Sequence, residues 1–259
     1  MNREKNVIPI IPSLFIFTII LIAFSGLMTG LGYELRGHGI IAMTLTFLIG
    51  LPTIIAVGKY KEGIRLLLIL GIYTYIIESI GVITGYPYGR FYYGEMMGYN
   101  LFGIVPIVLP LAYMPLAIGA YYIADKLSPN KAMIITLKIM MLLLFDLVLD
   151  PGAAALGYWI WENSGAYYGI PLTNYIGWII SSLITALICS YHYKSIRKAN
   201  PKLILASPLL FMVYWTFTVI GLGMIIPSII GIITIIVLGG FIVSPKARRY
   251  HHGNTFKSK

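Results

Sequence analysis

Glu78, Asp146 and Asp150 are carboxylic acids set inside apolar runs, and Asn174 opens a further apolar run after an aromatic-rich loop. Acids within a membrane are costly and mark function by default. Asp146 and Asp150 are four apart, so on a helix they share a face. Two like charges at that spacing repel, which keeps a proton on one of the pair. Glu78 alone reads equally well as a hydrogen-bonded glutamate that ties helices together or as a proton donor. Acids screened from water can protonate an unconjugated trisubstituted alkene, which generates a tertiary cation. Aromatic faces and a second carboxylate stabilise such a cation, and a held water then adds to it. The same groups would also serve an isomerase or cyclase, or a proton relay in a transporter of an apolar lipid.

Two loops carry the aromatics. After Glu78 come Tyr86, Tyr88, Phe91, Tyr92 and Tyr93, spaced by Gly85, Pro87, Gly89 and Gly94, which favour tight turns. After Asp150 come Tyr158, Trp159, Trp161, Tyr167 and Tyr168, with Glu162 and no basic residue. Interfacial belts enrich Tyr and Trp at both faces of a bilayer. The loops of the opposite side, however, hold Tyr60, Tyr191, Tyr193 and Tyr250 and no tryptophan, so a belt is not a sufficient account. Tyr88, Tyr92, Trp161, Tyr168 and Trp178 are candidates for the wall of a pocket that suits an apolar polyene or a transient cation. Asn174 is read as orienting a water or a carboxylate, with helix capping by Thr173 or Asn174 as the alternative; Tyr88 shares that orienting role.

The elements that must hold these groups are all-α. With 58% hydrophobic and 11% charged residues and a mean hydropathy of +0.85, the 259-residue chain reads as a polytopic transmembrane helix bundle. About eight spans are expected, near 9–31, 38–57, 65–83, 101–123, 132–150, 174–192, 203–221 and 223–243, as a single membrane domain with a basic tail over 244–259. A rise of about 1.5 Å per residue puts Glu78 roughly 9 Å, and both aspartates within about 6 Å, of one end of their helices. The three acids then share one layer. Pro151 is expected to stop the fifth helix, and Pro106, Pro110 and Pro115 to bend or break the fourth. The last two spans read as scaffold facing lipid or a second copy. The first span, longer than a signal core, reads as an anchor.

The net charge of +10 sorts by side: of 19 Lys and Arg, all but Arg36 and Arg90 fall at the termini or in alternate connections, Lys138 being counted with Lys126 and Lys131. This positive-inside pattern predicts cytoplasmic termini and a multi-pass protein of the cell membrane, and argues against a nucleic-acid partner. The turn with Glu34, Arg36 and His38 reads as solvated, and Cys189 as packing. No Gly-rich phosphate loop and no Cys/His spacing for a metal occurs, and the four histidines are scattered. No metal and no cofactor is therefore expected. Asp146-x-x-x-Asp150 matches a prenyltransferase cluster only superficially, lacking a second cluster and basic residues for pyrophosphate apart from Arg90.

The pattern Glu78…Gly81…Thr84-Gly-x-Pro-Tyr-Gly-x-x-Tyr-Tyr, Asp146…Asp150-Pro-x-Ala and Trp161…Tyr168-Gly-x-Pro…Asn174-x-x-Gly-Trp178 resembles the membrane carotenoid biosynthesis proteins of the CruF type. That family includes carotenoid 1,2-hydratases and the archaeal bisanhydrobacterioruberin hydratase. The resemblance covers roughly 70–180. It implies cofactor-independent addition of water to terminal isoprenoid double bonds of an acyclic carotenoid held in the bilayer, with membrane lipid, a second copy or other carotenoid biosynthesis enzymes as candidate partners. On the residues themselves, Glu78 or one of Asp146 and Asp150 is the proton donor and the other aspartate holds the water; which one stays open.

Overall fold

The computed structural model describes residues 10–33 and 38–244. Arg3, Lys5, the Glu34 and Arg36 turn, the His38 side chain and the basic tail beyond Ser244 lie outside the described residues. Long apolar runs form helices because only a helix satisfies its own backbone in hydrocarbon. They are α1 (Ile10–Gly30), α2 (His38–Gly58), α3 (Lys61–Thr84), α4 (Leu109–Leu127), α5 (Lys131–Ala155), α6 (Leu172–Tyr191), α8 (Pro201–Gly221) and α9 (Ile225–Val243), with a short α7 (Tyr193–Lys198) between α6 and α8. Among the described residues seven helices are long and apolar enough to cross a membrane. The protein is a polytopic helix bundle.

The eighth long helix, α4, is not among those seven, and its position explains why. Every residue from Tyr113 to Asp125 is buried, and α4 packs against α2, α3, α5, α6 and α8. A helix enclosed by protein tolerates Tyr113, Tyr121, Tyr122 and Asp125, which a lipid-facing helix would not. The fourth span expected at 101–123 is corrected at its start. Residues there form a hairpin, β2 (Asn100–Leu101) against β3 (Val105–Pro106), turned by Phe102 and Gly103 at positive φ. Pro110 then sits in the first turn of α4, where a missing N–H is tolerated.

Three further expectations are corrected. Helix α8 is not peripheral scaffold: Ile204 to Thr216 are all buried, among α1, α2, α4, α5 and α9. Nor does Pro151 stop α5, which runs on to Ala155. A proline inside a helix leaves the carbonyl four residues back without its N–H donor. Here that carbonyl belongs to Leu147, and the Tyr167 hydroxyl donates to it at 2.8 Å. Lys138, counted above with the loop cations, lies inside α5 and is buried.

Helices α1 and α8 meet through small residues. A Cβ on Gly26 would overlap the Tyr214 carbonyl oxygen, and one on Gly30 the Thr218 carbonyl oxygen, so the backbones touch directly. Gly30→Val is expected to lower stability by about 1–3 kcal/mol, the usual cost of overpacking. A reduced melting temperature of the detergent-solubilised protein, with helix content retained, would register it.

Candidate active site

The acid-bearing ends of α3 and α5 are covered by a two-stranded ribbon. β1 (Phe91–Tyr93) pairs antiparallel with β4 (Trp159–Trp161), with Phe91 opposite Trp161 and Tyr93 opposite Trp159. Side chains alternate across a strand, so Phe91, Tyr93, Trp159 and Trp161 all turn toward the helices and line one cavity. Tyr92 points the other way and is 50% exposed. Its assignment to the pocket wall is therefore corrected by strand alternation.

The cavity leaves about 90 Å³ for the centres of water-sized spheres, where a single water needs about 10–15 Å³. Glu78 of α3, Asp146 and Asp150 of α5 and Asn174 of α6 all open onto it, together with Tyr88, Tyr113, Trp178 and Trp215. The three acids expected in one layer open onto one cavity, and Asn174 joins them there. All four are buried. Trp161 and Trp178 also line the cavity. Tyr168 does not: it takes a positive φ of 49° in the turn before Gly169, and its hydroxyl lies 3.4 Å from the Ile226 N–H that donates to it. Its neighbour Tyr167 is the one directed inward, onto α5.

Each acid has a different environment. Asn174 Nδ2 donates to Asp150 Oδ2 at 2.5 Å, which sets Asp150 as an acceptor. Asn174 is thus not the α6 cap; Pro171 stands at that position, and the Asn174 N–H bonds back to its carbonyl. The Tyr93 hydroxyl donates to Glu78 Oε2 at 2.7 Å. Burial and the adjacent Glu78 carboxyl push the Tyr93 phenol well above its ordinary range, so it keeps its hydrogen and remains a donor. Asp146 Oδ2 is buried with no hydrogen-bond partner. The indole nitrogens of Trp159 and Trp161 are likewise unpartnered. The Tyr88 hydroxyl sits near Glu78 and Ser181 without a hydrogen bond of normal geometry.

Tyr88 is held by two glycines. Its ring lies between Gly81 of α3 and Gly177 of α6, and the Thr173 hydroxyl donates to its carbonyl at 3.1 Å. The rest of the wall is aromatic: Phe91 packs on Trp161 at 4.9 Å between centroids, and Tyr88 and Tyr113 flank Trp178 at 5.7 and 5.4 Å. Sequence reasoning missed Tyr93, Trp159, Tyr113 and Trp215. The period-2 run Phe-Tyr-Tyr and the matching Trp-Ile-Trp were the available signal for the first two. Among the described residues no group of three or more His, Cys, Asp or Glu is arranged to hold a metal ion.

Acids of unequal environment facing one aromatic cavity can donate a proton to an alkene at one point and accept one from water at another. No solved structure matches the chain. Over 155 residues it is 39% identical to the bisanhydrobacterioruberin hydratase of Haloarcula japonica, a match covering 57% of this chain and 52% of that relative. The chain thus aligns with about half the length of that curated relative. The family model for carotenoid biosynthesis proteins matches residues 37–238, and on that match the chain belongs to the carotenoid biosynthesis protein family.

Proposed function

We propose that the protein is a membrane-embedded hydratase that adds water to the terminal isoprenoid double bond of an acyclic carotenoid. The observation that carries this reading is the cavity in which Asp146, with an unpartnered oxygen, faces Asp150, already held as an acceptor by Asn174. Asp146 gives its proton to the less substituted alkene carbon, forming a C–H bond and a tertiary cation. Trp161, Trp178, Phe91 and Trp159 surround that cation with π faces and exclude bulk water. A water forms the C–O bond and loses its proton to Asp150. The proton returns to Asp146 across one helical turn, and the sum is alkene plus water giving tertiary alcohol. Glu78, engaged by Tyr93, supplies a third oxygen pair that stabilises the cation.

This chemistry needs no group beyond the chain and water. The cavity takes an isoprenoid end, and the polyene lies among the lipid tails. The basic connections and termini are assigned to the cytoplasmic side of the cell membrane, leaving the acid cavity toward the opposite face.

The relative's printed name supports the choice of substrate class. Expression in cells that accumulate bisanhydrobacterioruberin should give pigment heavier by one water per reacting end, read by mass spectrometry of the extract. Unchanged pigment, with the folded protein present in the membrane, would sink the hydratase reading. Movement of unmodified substrate between vesicles under a pH gradient would instead favour a transporter.

A further inference from the structure

The acids sit between the ribbon and the far end of the cavity, and that far end is built from residues the chemistry above leaves unused. On each of three helices one residue is the last to touch the cavity there: Thr74 on α3, Leu116 on α4 and Leu142 on α5. Thr74 lies one turn before Glu78 and Leu142 one turn before Asp146, so this floor stands about 6 Å along the helix axes from the acids. All three residues are buried, at 2, 5 and 2% exposure. One turn further on the same helices come Leu70, Ala120 and Lys138, each 0% exposed. The floor is therefore backed by packed protein.

That floor is also apolar. Leu116 and Leu142 are hydrocarbon, and the Thr74 hydroxyl spends its hydrogen on the Leu70 carbonyl at 2.7 Å. What can rest there follows from size. With about 90 Å³ open to the centres of water-sized spheres, the cavity holds an isoprenoid end and not a polyene. The way in lies on the other sides, where Leu109, Ala112, Leu149, Trp161 and Trp178 are only partly buried. A chain entering there meets the floor with its end. Beyond the alkene carbon that takes the proton, the last double bond has one carbon and its two methyls. Offering the next double bond instead would push a whole further isoprene unit past the carboxyls. The single turn above the floor, already shared with the side chains of Thr74 and Leu142, does not house it.

We propose that Leu142, Leu116 and Thr74 form a depth stop, which halts the entering end with its last double bond at Asp146 and so selects the terminal double bond over the next one in. The assignment rests on the hydration reading above and adds the residues that set the position of attack. Only the last isoprene unit passes the acids, so any acyclic chain ending in that unit is accepted. Removing the stop has a defined consequence. Leu116→Ala with Leu142→Ala takes away more side-chain carbons than an isoprene unit contains. The chain then slides in by one unit, and the second double bond reaches Asp146.

The experiment uses membranes containing the full chain and, as probe, phytoene, an acyclic carotenoid whose ends carry successive isolated trisubstituted double bonds. It reads the ratio of internal to terminal hydration from the fragmentation of the alcohols in mass spectrometry, a ratio independent of how much variant folds. The unaltered protein should give terminal alcohol. The double variant should raise the ratio at least about tenfold, the low end of what one methylene of pocket space discriminates. Leu142→Ala alone, a smaller loss of core, should move it in the same direction. Leu149→Ala, which widens the cavity beside the acids and not beneath them, should leave the ratio unchanged. Terminal alcohol alone, or none, from the folded floor variants would overturn the proposal, as would an equal shift in Leu149→Ala or internal alcohol from the unaltered protein. So would refusal of phytoene by a protein that hydrates bisanhydrobacterioruberin, since the cavity would then read more than the end. No alcohol from either compound with the unaltered protein would instead overturn the hydration reading itself.

Discussion

Asp146→Asn is expected to lower product formation by about 10²–10⁴-fold, the span a positioned general acid contributes, while the protein still accumulates folded in the membrane. The two halves of that expectation have separate grounds. Asparagine has the same shape, and Asp146 Oδ2 has no hydrogen-bond partner to lose, so packing is unchanged. The amide cannot release a proton to an alkene, so the first step stops. Glu78→Gln should cost less: glutamine keeps an oxygen to accept from Tyr93, whose hydroxyl lies 2.7 Å away, and loses only the charge that supports the cation. Asp150→Asn should fall between them, because Asn174 can still donate to the remaining oxygen but the water has no base. Rates measured on equal amounts of membrane protein rank the three. Full activity in Asp146→Asn with loss in Glu78→Gln would move the donor role to Glu78.

The acid layer was legible in the sequence because charge inside an apolar run is rare and helix rise converts residue number into depth. Asp146 and Asp150 share a face for the same reason. Other features were hidden by physics that hydropathy does not see. In a bundle, lipid-facing and protein-facing positions are both apolar, so hydropathy alone marks as spans both α8, buried along Ile204–Thr216, and the exposed α9; Ser207, Tyr214, Trp215 and Thr216 are the signal in α8 that hydropathy passes over. Counting basic residues by side misplaces Lys138, because that count assumes that lysines lie in loops. Its spacing of eight from Asp146 was the clue that it belonged to the same face. The Tyr92 assignment fails because the Gly and Pro spacing of the aromatic loop announces only turns; pairing with Trp159–Trp161 makes it a strand and gives the inward position to Tyr93. Pro151 stayed inside α5 because Tyr167, remote in sequence, takes the carbonyl that the proline leaves open. A local rule cannot contain that contact.

Gly177→Ala tests whether the acids alone suffice or whether the wall must be placed as well. In an exposed helix this change gains about 1 kcal/mol of propensity. Here the new Cβ would overlap Tyr88 Cδ1, and it would stand 3.0 Å from Tyr88 Cε1 and 3.1 Å from the Pro87 carbonyl carbon. The ring has no retreat, since Gly81 already lies against its other edge: a Cβ there would be 2.8 Å from Tyr88 Cδ2. Overpacking at about 1–3 kcal/mol therefore outweighs the propensity gain, and Tyr88 is driven from the slot between α3 and α6. Displacing a wall group by about 1 Å can cost roughly 10²-fold in rate, and a loss of that order in product is expected. Tyr88→Phe, which keeps the ring in place and removes a hydroxyl lacking a well-formed bond, should lose far less. Adding Tyr88→Leu to Gly177→Ala should restore thermal stability by relieving the clash, yet leave the rate low. Recovery of both together would mean that Tyr88 only fills space, and the cavity wall would then act through its tryptophans alone.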